Sequence, residues 1–119
     1  GIRDRDVTGV QTCALPIFAR FEESISRTPG LIDRLFSESE RTKSISSLAA
    51  RFAAKESLFK ALRGPKGLNW HDCEVVNLEN GAPVFLFRNQ IADLIDGANV
   101  HLSLSHDAGI ASAMVVIER

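Results

Sequence analysis

The strongest constraint on this chain is a change of hydrophobic period part-way along it. In "FARFEESISR" (18–27), Phe18, Phe21 and Ile25 fall at i, i+3 and i+7, one face of a helix. "TPGLIDRLF" (28–36) opens on Thr-Pro and predicts a short helix. "SISSLAARFAAKESLFKALRG" (44–64) predicts the longest helix, with serines as N-caps and Gly64 as its C-terminal stop. Beyond the Pro/Gly loop at 64–70 the period becomes two. "CEVVNL" (73–78) and "PVFLF" (83–87) flank "ENGA", whose Asn-Gly step signals a hairpin. A short helix over 88–97 ends at Gly97. "VHLSLS" (100–105) alternates, with Val100, Leu102 and Leu104 on one face and His101, Ser103 and Ser105 on the other. "HDAG" (106–109) turns the chain and "IASAMVVIE" (110–118) returns as a strand. Helices first and antiparallel strands later predict an α+β fold, helices packed on an antiparallel sheet.

Bulk properties narrow the function classes. A chain of 119 residues makes one domain with a real core. A net charge of −1 argues against nucleic acid or an anionic membrane as partner, though a local basic cluster can still hold a small anion. No apolar run approaches the ~20 residues of a membrane span. Cys13 and Cys73 lack metal-type spacing, and a reduced, cytoplasmic setting is expected.

The central helix carries the first candidate site. At 100° per residue with Leu48 at zero, Phe52, Phe59 and Leu62 fall at about 40°, 20° and −40°, a buried stripe. Lys55 falls at about −20°, inside that stripe, with Glu56 and Lys60 on one flank and Arg51 on the other. One account is a lysine whose stem packs while its ammonium reaches water, beside a surface Glu56–Lys60 pair worth about 0.3–0.5 kcal/mol. The other treats the four as one site, because a charge buried on a core stripe needs a partner. Three cations around one carboxylate suit a ligand carrying phosphates and a divalent metal. The second candidate is "SLSHD" (103–107), where Ser105, His106 and Asp107 stand at a strand end. Three consecutive residues do not make a hydrolase triad, and no nucleophile elbow is present. His106 suits a general base or a phosphate donor.

Together, "SLAARFAAKESLFKAL", "WHDCEVV", "NGAP" and "VHLSLSHDAGIASAMVV", with "RTPGLIDRLFSESE" before them, resemble the holo-[acyl-carrier-protein] synthase family of small 4′-phosphopantetheinyl transferases over about residues 20 to 119. The resemblance implies transfer of the phosphopantetheine arm of coenzyme A to a serine of apo-acyl carrier protein, with release of adenosine 3′,5′-bisphosphate. It implies Mg²⁺ as cofactor and a homotrimer with sites between subunits. It also implies a metal-binding role for Glu56 and phosphate contacts for Lys60, with Arg51 and Lys55 near the coenzyme A phosphates. Ser105 and His106 would lie near the nucleotide, Asp107 would be implicated in the site, and Arg20 would dock the carrier protein.

One part departs from that pattern. The family opens on a "GIDxxxIxRF"-like strand whose aspartate is a second metal ligand. Counting back from Arg20 and Phe21 places it at position 14, where this chain has Ala14. "RDVTGVQTCALPI" (5–17) looks foreign to the fold and resembles a translated sequencing-adapter tag. The expectation is an aberrant, poorly ordered segment over 1–17, a domain over 18–119, a missing or disrupted first strand and impaired catalysis. The alternative is a non-catalytic module that binds coenzyme A or acyl carrier protein.

Overall fold

The structure, a computed structural model, describes residues 7–14, 18–63 and 66–118. Strand β1 (Val7–Ala14) leads into helix α1 (Phe18–Arg27), helix α2 (Leu31–Leu35), a 3₁₀ turn at Glu40–Thr42 and the long helix α3 (Ile45–Leu62). A second 3₁₀ turn (Trp70–Asp72) precedes strands β2 (Cys73–Asn77) and β3 (Pro83–Phe87). Helix α4 (Asn89–Ile95) and strands β4 (Asn99–Asp107) and β5 (Ile110–Glu118) complete the chain. The strands form two antiparallel units, β1-β5-β4 and the hairpin β2-β3. After β1, the helices precede the remaining strands, and α3 lies across the larger sheet, which gives the expected α+β class.

Local chemistry accounts for the element ends. The Ser44 hydroxyl accepts from Ser47 N at 3.3 Å and caps α3. At the other end Arg63 takes a left-handed conformation (φ 49°), and its N–H reaches the carbonyls of Phe59 and Lys60. The expected stop at Gly64 lies outside the described residues. The β4–β5 turn is tighter than "HDAG" suggests. His106 and Asp107 pair with Ala111 and Ile110, leaving Ala108 and Gly109 alone in the loop.

The expectation is a first strand missing or disrupted, and its absence is corrected. Residues 7–14 pair antiparallel with β5, from Val7 opposite Glu118 to Ala14 opposite Ala113. Ladder hydrogen bonds belong to the backbone, so a foreign side-chain sequence can still fill a sheet edge. Its valines and threonines favour a strand. An irregularity remains: Thr8, Gly9 and Val10 all stand against Ile117, a bulge centred on the glycine. Residues 1–6 and 15–17 of the segment expected to be poorly ordered lie outside the described residues.

The core also corrects the assumed helix face. Of the stripe Leu48, Phe52, Phe59 and Leu62, only Leu48 is buried, and the other three are half-buried. The side of α3 facing the sheet is made of Ala49, Ala50, Ala53, Ala54, Ser57 and Ala61. These small side chains meet Ala111, Ala113 and Val115, the inward alternate positions of β5. Small residues on both surfaces let helix and sheet approach closely, which a count of large apolar residues does not register.

Candidate active site

Lys55 is the most deeply committed charged group on α3. Its side chain and that of Glu40 are both fully buried, with Lys55 Nζ 2.8 Å from Glu40 Oε1. The ammonium also donates to the carbonyls of Leu35 (2.7 Å) and Trp70 (3.1 Å), and lies 5.2 Å from the centre of the Phe36 ring. Three donors meet three acceptors, so none remains for a phosphate. The carboxylate is equally engaged: Ser37 N donates to Oε1 and Val75 N to Oε2, each at 3.0 Å. The lysine on the core stripe therefore has its partner inside the chain, which departs from the expectation that it contacts coenzyme A.

Arg51 is also turned inward. It is 4% exposed, donates to the Ser47 hydroxyl and, at 2.8 Å, to Asn77 Oδ1 on β2. Its Nε is buried without a partner among the described residues. Burial holds this guanidinium below the ordinary arginine range, with the charge of Glu40 opposing. Glu56 and Lys60 behave differently. They stand one helical turn apart, Lys60 exposed and Glu56 half-buried. Glu56 makes no hydrogen bond or ion pair among the described residues. Loss of water around it raises its pKa, and the nearby Lys60 charge partly offsets this.

The strand-end residues are exposed, as a site at a sheet rim requires. Ser105 Oγ lies 2.6 Å from Ser112 Oγ across the β4–β5 pair. His106 and Asp107 occupy the last two positions of β4. Their turn uses Ala108 at φ 50°, a left-handed conformation that side-chain-bearing residues adopt only with strain. Residues of α1, α2 and α3 and of the segment before β2 line a cavity of about 840 Å³. Arg20 and Arg34 stand at it with apolar Phe21, Phe52 and Trp70, and Trp70 packs on Phe59 and Phe52 at 4.7 and 5.7 Å. The structure thus sets Glu56 one helical turn from Lys60 and Arg20 at a cavity, while Arg51 and Lys55 serve the interior. Glu40, Asn77 and Trp70 are the partners that sequence reasoning missed.

A divalent metal can be tested against this donor set. Among the described residues no group of three or more His, Cys, Asp or Glu side chains gathers at one place. The sheet register puts position 14 opposite Ala113, whose carbonyl lies 3.5 Å from Ser57 Oγ, one residue from Glu56. An alanine there brings no oxygen donor. Mg²⁺ is commonly held by one or two carboxylates, with substrate phosphates and water completing its shell. Glu56 fits the one-carboxylate form of such a site.

Residues 17–111 match the family model described as the 4′-phosphopantetheinyl transferase superfamily. The chain belongs to that superfamily. Among curated relatives, the holo-[acyl-carrier-protein] synthase of Leifsonia xyli subsp. xyli is 56% identical over 104 residues, covering 85% of this chain and 88% of its own. That of Clavibacter michiganensis subsp. michiganensis is 53% identical, covering 84% and 87%. Among solved structures, the "Chronobacterium ammoniagenes ACPS-CoA complex" superposes with a TM-score of 0.82 at 26% identity, covering 92% of this chain and 96% of that one. The Helicobacter pylori holo-[acyl-carrier-protein] synthase in complex with coenzyme A gives 0.79 at 30% identity, covering 90% and 98%. The phosphopantetheinyl transferase fold is therefore continuous through the helix and strand motifs that carry the candidate residues.

Proposed function

We propose that this chain is a holo-[acyl-carrier-protein] synthase, moving the 4′-phosphopantetheine arm of coenzyme A to a serine of apo-acyl carrier protein. The serine oxygen forms a bond to the phosphorus that bears the pantetheine. The bond from that phosphorus to the bridging oxygen breaks, and adenosine 3′,5′-bisphosphate leaves with the electron pair. Phosphoryl transfer of this kind depends on placement and charge neutralisation more than on a protein nucleophile. The observation that carries the reading is a half-buried Glu56, without an ion pair among the described residues, one turn from exposed Lys60, in a chain whose relatives bear this name.

In this reading Lys60 neutralises pyrophosphate oxygens, and Arg51 adds positive potential from beneath the helix surface. His106 accepts the serine proton at the rim of the sheet, with Asp107 and Ser105 shaping the nucleotide end. Arg20 meets the acidic surface of the carrier protein. Glu56 would hold Mg²⁺, which when bound neutralises charge on the pyrophosphate. We infer that Ala14 weakens that hold and impairs transfer. We take the assembly to be a homotrimer working in the cytoplasm. Met114, 44% exposed on the outer face of β5, offers apolar surface for a subunit contact. No described helix is long and apolar enough to cross a membrane.

The lack of a donor at position 14 favours a second reading, a module that binds coenzyme A or carrier protein without turnover. One experiment separates them. The chain, and an Ala14→Asp variant carrying a family-like N-terminal strand, are incubated with coenzyme A, Mg²⁺ and apo-acyl carrier protein, and the carrier is weighed by mass spectrometry. Transfer by the restored variant, with little by the chain itself, is expected. No transfer by either, with saturable binding of adenosine 3′,5′-bisphosphate, supports the binding module.

A further inference from the structure

Two of the three acceptors of Lys55 belong to residues that line the cavity. Leu35 stands at the end of α2, and Trp70 follows α3. The third, Glu40, anchors the same ammonium to β2 through Val75 N. One buried charge therefore ties two cavity-lining residues to the helix that supplies a third, Phe52. Apolar contacts alone are non-directional, whereas three hydrogen bonds from one nitrogen fix three points in space. At the cavity stand Arg20 and Arg34, exposed and without an ion pair among the described residues.

We propose that Lys55 and Glu40 are positioning residues that hold this cavity in the shape that receives the acidic carrier protein. The proposal rests on the reading above, that the chain serves such a carrier. The unpaired arginines supply charge complementarity, and Phe21, Phe52 and Trp70 supply apolar surface for a side chain of the partner. The pair touches no substrate. It acts through the Leu35 and Trp70 carbonyls, so its loss alters recognition of the carrier and leaves the nucleotide end alone.

The test is calorimetry with apo-acyl carrier protein and, separately, adenosine 3′,5′-bisphosphate, well below the melting transition. The double variant Lys55→Met/Glu40→Gln removes both charges at nearly constant volume. Lys55→Arg keeps the ion pair but presents a planar fork that cannot face the same three acceptors, and it serves if the double variant does not fold. The expected result is carrier affinity reduced about tenfold, with nucleotide affinity within about twofold of the parent. Unchanged carrier affinity in a folded variant overturns the proposal, because a purely structural pair would lower only the melting temperature. A parallel fall in nucleotide affinity overturns it too, placing the ammonium at the phosphates. A parent chain that binds the nucleotide but no carrier refutes the underlying reading, and the proposal with it.

Discussion

Replacing Lys55 with methionine tests the interior most sharply. The change keeps the length of the side chain and removes only the ammonium. Glu40 is then left fully buried without its cation, while the carbonyls of Leu35 and Trp70 lose a donor. Breaking a buried pair from one side costs about 3–5 kcal/mol. Against a total stability of about 5–15 kcal/mol for a single domain, that is a large fraction. A loss of about 4 kcal/mol lowers the melting temperature by roughly 12–20 °C in a chain of this size. Urea denaturation reads it directly, because Trp70 is the only tryptophan and packs on Phe52 and Phe59. Glu40→Gln is expected to cost less, since the amide oxygen still accepts from one of the two backbone donors. The double variant should recover part of the Lys55→Met loss, giving a coupling energy well above the error of the cycle. A Lys55→Met midpoint equal to or above that of the parent would refute the reasoning, and would return Lys55 to the surface role of a lysine with a packed stem.

Other expectations follow from single sites. Burial raises the Glu56 pKa, so its charged form destabilises the fold: the deficit is absent below the ordinary carboxylate pKa and complete above the raised one. Glu56→Gln should therefore raise the melting temperature at pH 7 and lose that advantage near pH 4, and an equal shift at both pH values would contradict the cause given. Ala108→Gly, relieving a left-handed alanine in a two-residue turn, should stabilise by about 0.5–1 kcal/mol in denaturant melts. Cys73 is buried and its thiol is pushed up to about 12, chiefly by burial. In a Cys13→Ser background it should resist thiol reagents until the chain unfolds, and rapid native-state labelling would count against its burial.

Much of the architecture was legible because it rests on periodicity. The helix over 44–64, the 73–87 hairpin and the alternation in 100–105 all follow from spacing, which the backbone enforces. What spacing could not show was the depth of each face. A run of alanines reads as neutral, yet here it is the surface that meets the sheet. The need for a partner to Lys55 was visible, but its identity was not. "SESERTKS" offers Glu38 and Glu40, and only the 3₁₀ turn selects the second, turning it inward while Glu38 stays exposed. The first strand was misjudged for the opposite reason: its side chains looked foreign, while its pairing needs only a backbone. Glu56 and Lys60 were readable as neighbours because one helical turn separates them. The placement of Arg51 against Asn77 crosses 26 positions in sequence, and no local pattern encodes it.

The central claim is that Glu56 and Lys60 face the pyrophosphate of bound coenzyme A. A crystal grown with coenzyme A and Mn²⁺, the latter as an anomalous scatterer standing in for Mg²⁺, reads this directly. The account predicts an anomalous peak within about 2.5 Å of a Glu56 carboxylate oxygen and Lys60 Nζ against a phosphate oxygen. A nucleotide bound elsewhere, with Glu56 open to solvent and the metal peak on another group, would contradict it.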